Sequence, residues 1–358
     1  MRTGCFVSLA RVFAPVWILV LCAGGLSWAG AGNHARDPFL DNEGIYLPPP
    51  PSWSPDGKKM AFTANTRAGA VVCVAELASG KVRVLAKGLQ PIWSPKGDRI
   101  AFFGKRAPME VRDLYVMPAA GSPPKLVLPG PVWVDESQIA WSPEGRRLAL
   151  KVPVKGGGQV CVIDASSGKA RRVGALRSMD GVHGWISDGR EIVVSSENGP
   201  PAPGLYAMDA RTGKKRLVLD RFVWCRGVSP DGLLIHGLTW DESLGSGIIL
   251  EAPVSGGEPR IVGDYPRGRN TWTWSVAWRK GVAFGSGLSE SDRDVIWRYD
   301  LANRTCETLT EGDIKEAVAV VSPDGANVAF YRETDGKSAL YVMRTDGSGA
   351  RLIASCHR

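Results

Sequence analysis

The stretch Trp53-Ser54-Pro55-Asp56-Gly57-Lys58-Lys59-Met60-Ala61-Phe62 decides the fold. Proline presets the first central position of a type I turn, and aspartate tolerates the second. Glycine then supplies the left-handed residue that closes a three-residue hairpin loop. Six further copies follow: Ser94-Pro95-Lys96-Gly97, Ser142-Pro143-Glu144-Gly145, Ser187-Asp188-Gly189, Ser229-Pro230-Asp231-Gly232, Arg279-Lys280-Gly281 and Ser322-Pro323-Asp324-Gly325. The copies at Ser187 and Arg279 lack the proline. Glycine to glycine, the intervals are 40, 48, 44, 43, 49 and 44 residues, a period that marks a propeller, solenoid or array.

A second turn signal, such as Ser79-Gly80 or Asp346-Gly347, comes 22 to 24 residues after each first one. An apolar run precedes it, as in Val71-Val72-Cys73-Val74 and Leu340-Tyr341-Val342-Met343, and a short strand follows it. Each unit therefore reads as four short antiparallel strands, the make-up of a propeller blade. The sequence predicts an all-β chain, with a seven-bladed β-propeller of four-stranded antiparallel blades over residues 45–354 and six blades as the alternative. The last unit already holds four strands, so the ring closes without the N-terminal segment. Pairing of Ile45-Tyr46-Leu47 with the last blade would shift the phase by one strand.

The unit W-S-P-D-G-x-x-I-A-F, followed by L-Y-V-M and a D-G turn, resembles the TolB-type β-propeller repeat, and Val321 to Ile353 is the copy most similar to it. The resemblance covers seven units. In that family an α/β domain precedes a six-bladed propeller, which works in the periplasm and binds a peptidoglycan-associated lipoprotein. Here only Asn33 to Gly44 separates a leader-like segment from the first repeat, so the resemblance is to the propeller alone. It implies a scaffold role in the bacterial envelope. The repeat is also similar to the propeller that gates prolyl-oligopeptidase-type peptidases, but no G-x-S-x-G elbow of their hydrolase domain is present.

Residues 1–31 read as a secretory signal peptide: Arg2 and Arg11, the apolar run Val12 to Leu21, and Ala29-Gly30-Ala31 as the cleavage site. The apolar run is shorter than the ~20 residues of a spanning helix, so no stable membrane span is expected after cleavage. Residues 32–44 form a tail before the propeller and residues 355–358 a tail after it. The implied location is periplasmic or secreted, with an envelope lipoprotein lipidated at Cys22 as the alternative. Removing two arginines from a net charge of +8 leaves about +6. Many of the basic residues, among them Arg83, Lys125, Arg171, Arg216 and Arg351, fall on the fourth strand of each unit, where they discourage edge-to-edge pairing. No nucleic-acid partner is expected. Five cysteines remain after the leader, an odd number, and Cys306 with Cys356 is the one pair placed to bond.

Trp53, Trp93, Trp141, Trp185 and Trp278 recur just before the turn, a periodicity that assigns them to packing between blades. Asp56, Glu144, Asp231 and Asp324 belong to the turns themselves. His183 and His236 are on different blades without an acidic or cysteine neighbour at metal-ligand spacing, so no metal, no cofactor and no catalytic residue is assigned. Propellers bind through the loops between strands two and three and between blades. On those loops the candidates are Trp240, Asp241 and Glu242; Arg267, Arg269 and Trp272; and Glu290, Asp292 and Arg293, with exposed Trp and Arg as interface anchors. The expected function is an exported binding or scaffold module for proteins, or glycans, of the envelope. A polysaccharide lyase or hydrolase and a polyanion binder are the rival readings.

Overall fold

In the computed structural model, residues 49–105, 112–132, 139–177, 180–196, 203–221, 223–229, 231–241, 246–264, 271–277, 281–288, 294–310, 315–334 and 337–356 are described. They form seven four-stranded antiparallel sheets, each built from consecutive strands, arranged as the blades of a propeller. Six blades are thereby ruled out. The leader, the tail to residue 44 and Cys22 lie outside the described residues, as do Ile45 to Leu47. No helix among the described residues is long and apolar enough to cross a membrane.

Blade one comprises Ser52–Trp53, Lys59–Thr66, Gly69–Glu76 and Val82–Lys87. The others run Leu89–Val132, Ala140–Leu176, Val182–Leu219, Trp224–Asp264, Thr271–Thr308 and Lys315–Ser355. The first hairpin of each blade forms as its sequence requires. Gly57 sits at φ 68°, and its six counterparts at the first turn of blades two to seven lie between 61° and 71°. Gly57 N donates to Ser54 O at 2.8 Å. The Ser54 hydroxyl donates to Asp56 Oδ1 at 2.6 Å, and that oxygen accepts Lys58 N at 3.1 Å. Ser229 with Asp231 and Ser322 with Asp324 repeat the bond at 2.5 Å. The turn carboxylates thus serve the turns.

The core lies between blades. Ala61, Val72 and Val74 of blade one pack on Trp93, Ile100 and Phe102 of blade two. Blade seven closes on blade one in the same manner, Ala329, Tyr331 and Leu340 meeting Trp53, Phe62 and Cys73. The tryptophans are seam residues: the indole N–H of Trp53 donates to Val320 O at 3.0 Å, Trp141 to Ile92 O at 3.2 Å, and Trp185 to Ala140 O at 3.0 Å. Trp278 lies outside the described residues.

Five fourth-strand basic residues reach across to the next blade. Arg83 donates to Ala120 O at 3.2 Å, Arg171 to Ala210 O at 3.3 Å, Arg216 to Val254 O at 2.9 Å and Arg351 to Leu77 O at 2.9 Å. Lys125 bonds Ser166 O likewise. Stapling neighbouring blades is a role that the sequence alone did not assign to them.

Cys306 and Cys356 do not pair. Cys306 belongs to the blade six fourth strand, whereas Cys356 packs with Cys73 in the seam between blades seven and one. Proximity in the last two repeats did not translate into contact, because the chain end turns toward blade one: Asn65 N donates to Cys356 O at 2.6 Å. Burial first, then the neighbouring Cys73, pushes the Cys356 thiol up to about 12.

Candidate functional site

Strand direction gives the ring two unlike ends. One carries the Ser-Pro-Asp-Gly turns. The other, the mouth, carries the loops between strands two and three and the connections between blades. Of the sixteen buried polar residues among those described, Ser54, Ser94, Ser142, Ser229 and Ser322 are turn serines. Ten stand in the mouth half of their blades, Arg112, Asp113, Asp180 and Glu316 among them, and His236 is the sixteenth. Burying polar groups costs free energy unless each finds a partner, so this concentration at one end is held by specific bonds.

In blade seven, Glu316 at the start of the first strand is 2% exposed. Arg332 donates to its Oε1 twice, from Nε at 2.9 Å and Nη2 at 2.6 Å, while Oε2 is buried with no hydrogen-bond partner. The Arg332 guanidinium lies 4.7 Å from the Tyr341 ring centroid and 5.6 Å from that of Phe330. The first strand turns sharply beside it. Val318 holds φ 63°, a region a β-branched residue rarely enters, and its N–H donates to Ser286 Oγ of blade six at 2.9 Å. Gln90, three residues before Trp93 as Val318 is before Val321, holds φ 53° and donates to Thr63 Oγ1 at 3.0 Å. Such strain costs ~1–3 kcal/mol and gathers at working sites.

On the other side of the mouth, Asp113 Oδ1 accepts Gly130 N at 2.6 Å. Asp180 Oδ2 accepts Arg177 N at 2.9 Å, and Lys151 donates to Asp180 O at 2.8 Å. Ser195 Oγ accepts Gly181 N at 2.9 Å, and the His183 ring lies against the same glycine.

Trp240 and Asp241 end the second strand of blade five, and Trp272 is the second residue of the first strand of blade six, all at the mouth end. Glu242, Arg267, Arg269, Glu290, Asp292 and Arg293 lie outside the described residues. The residues that sequence reasoning missed, Glu316 and Arg332, are the ones whose side chains meet. Glu316 on the innermost strand stands cross-strand from Arg332, a register that only the folded blade displays.

His236 has an acidic partner that its sequence neighbourhood does not display. Its Nε2 is 2.9 Å from Glu251 Oε2 on the neighbouring strand, and Glu251 Oε1 accepts Arg260 at 3.0 Å. The register His236↔Glu251↔Arg260 makes a row across blade five. Burial pushes the imidazole below its ordinary 6.5, outweighing the carboxylate beside it. Burial pushes the Glu251 carboxyl up, but the bonds from His236 and Arg260 together hold it below the usual range. Among the described residues no group of three or more His, Cys, Asp and Glu side chains is placed to hold a metal ion.

Relatives fit this architecture. An uncharacterized protein of Agrobacterium fabrum is 25% identical over 179 residues, 47% of this chain and 56% of the relative, so the chain spans about half the length of that curated relative. The β-propeller domain of the trilobed protease from Pyrococcus furiosus, described as having an open velcro topology, superposes with a TM-score of 0.65 at 14% identity, covering 87% of this chain and 98% of that one. An oligogalacturonate lyase solved with manganese gives 0.65 at 16% identity, covering 84% and 88%. Identities this low speak for the fold alone. The family model of the TolB β-propeller domain matches residues 42–235, more than half of the sequence, and the chain belongs to that family.

Proposed function

We propose that the protein is a binding module of the bacterial envelope, exported to the periplasm, which takes a protein or glycan partner at the mouth. The observation that carries this reading is the gathering of buried Arg, Asp and Glu residues at one end of the ring, while away from the mouth the buried polar groups among the described residues are the turn serines and His236. Arg112, Lys151 and Arg332 stand there with Asp113, Asp180 and Glu316, three cations to three acids, Arg332 bonded to the Glu316 carboxylate and Lys151 to the Asp180 backbone carbonyl, a balance that favours a mixed polar surface over a polyanion. The leader-like N-terminus and the family support the location.

The test is photo-crosslinking in the native cell. A crosslinking residue at Lys337, exposed at the mouth, is expected to capture a defined partner, and one at Asp188, exposed at the turn end, is not. Glu316→Gln is expected to weaken the captured band severalfold. Capture from Asp188 alone, or from neither position, sinks the reading.

A further inference from the structure

Blades two and three each grip the following blade with an arginine. Arg99 lies 5.9 Å from the Trp141 ring centroid, its Nη2 donates to Gly145 O at 3.0 Å, its Nη1 to Ser166 Oγ at 3.0 Å, and its Nε stands 3.4 Å from the Asp98 carboxylate. Arg147 repeats the arrangement: 4.7 Å from the Trp185 ring, Nη2 to Gly189 O at 2.7 Å, Nε to Glu144 Oε1 at 2.8 Å. Each grip joins an indole face, the carbonyl of the next blade's turn glycine and the carboxylate of its own turn.

Between blades one and two the same receiving groups are present: Trp93, the Gly97 carbonyl and Asp56. The gripping residue is not. Lys59 occupies the place of Arg99 and Arg147, and its ammonium makes no hydrogen bond, ion pair or ring contact with the described residues. In place of a guanidinium there is a cleft of about 410 Å³. Trp93 is seated differently as well, since its buried indole N–H has no partner, unlike those of Trp53, Trp141 and Trp185.

We propose that this cleft binds the guanidinium of an arginine side chain presented by a partner protein, in the pose that Arg99 and Arg147 adopt at the next two seams. A planar fork can lie on the indole face while its edge donates to carbonyl and carboxylate together, which a lysine ammonium cannot do. The charges allow it. The Ser54 hydroxyl bond, ahead of the Lys58 amide, holds Asp56 below the usual carboxylate range. Burial pushes Asp98 up, but its bonds from Ser94 and Arg99 hold it low. Both carboxylates are therefore ionised at neutral pH: Asp98 is held by Arg99, and Asp56 offsets Lys59. The site is at the turn end, so it is independent of the mouth.

The test is titration of the full chain with N-acetyl-arginine amide, and separately with N-acetyl-lysine amide, followed by the Trp93 indole N–H resonance. The arginine probe is expected to bind at least ~10-fold more tightly than the lysine probe. Lys59→Arg supplies the chain's own grip. It is expected to raise the unfolding midpoint and weaken the arginine probe at least ~10-fold. Asp56→Ala, as a second variant, is expected to weaken the probe ~5-fold without self-filling. No saturable binding of the arginine probe, equal binding of the two probes, or undiminished binding by a folded Lys59→Arg protein would overturn the proposal.

Discussion

His236 stands where the repeat has a small residue. Its counterparts four residues after the turn glycine are Ala61, Ala101, Ala149, Val193 and Ala329, and the counterparts of Glu251 include Val74, Val116, Val162, Ala207 and Val342. Blade six has Gly285 against Trp297 at this place. Blade five thus carries an ionisable pair where five of the other blades carry aliphatic contact and the sixth an indole over a glycine. In the unfolded chain this imidazole titrates near 6.5, and burial lowers it in the folded protein. As pH falls from neutral, the unfolded chain therefore takes up the proton first. Stability contributed by the neutral histidine is complete above about 6.5 and is lost as pH falls through the folded value. The double variant His236→Ala with Glu251→Val restores the repeat's own residues. It should be at least as stable as the parent at neutral pH, by up to ~1 kcal/mol, since exchanging a buried pair for packing is neutral or favourable. It should also lose the acid-side slope that urea unfolding at pH 7, 6 and 5 reveals in the parent. A parent with no such slope, or a double variant that keeps it, refutes the assignment of that slope to His236.

The fourth strands show what one element does in a repeat. At five seams their basic residue crosses to the next blade; among the described residues no such bond spans the seams after blades five and six, and the blade six strand Thr305–Thr308 has no basic residue. There Arg260 is held by Glu251 at 3.0 Å and Glu307 by Arg298 at 2.6 Å, each inside its own blade. Arg216 shows the staple at its fullest, with two bonds to the Glu191 carboxylate at 2.9 and 2.7 Å and one to Val254 O at 2.9 Å. Lysine keeps the charge and loses the fork, so Arg216→Lys should cost ~1 kcal/mol with an unchanged denaturant slope, measured by urea unfolding. A cost below ~0.3 kcal/mol would show the staple to be decorative. The hairpins were legible because Ser-Pro-Asp-Gly demands one backbone path wherever it occurs. The staples were not, because a lysine or arginine at an edge reads as solvated until the neighbouring carbonyl is in view. The mouth was legible as an end of the ring from strand order. Glu316 and Arg332 were not, since their meeting depends on the register after the bulge between Ala317 and Val320. The row at His236 had a signal in the repeat itself, visible once the units are aligned position by position.

At the scale of the whole molecule, the question is what makes a circle of a linear chain. Among the described residues every blade is assembled from four consecutive strands, with no strand exchanged between blades one and seven. The last seam is held by the devices of the internal ones: Arg351 to Leu77 O, Trp53 to Val320 O and a shared apolar cluster. It adds Tyr331 Oη donating to Pro49 O at 3.2 Å. If the closing seam is physically equivalent to the others, the place where the chain is cut is immaterial to the ring. A circular permutant that begins at Val223 and ends at Arg221, with Cys356 joined to Pro49 through a short Gly-Ser linker, moves the break to the seam between blades four and five. That seam has its own staple in Arg216 and its own cluster of Val193, Leu205, Ile235 and Leu250. The permutant should fold cooperatively and lie within ~2 kcal/mol of the parent in urea unfolding, because surface connections tolerate such cuts when the contacts beneath them remain. Loss of the cooperative transition would mean that covalent continuity at that seam carries what the side chains were taken to carry, and that the seven seams are not equivalent.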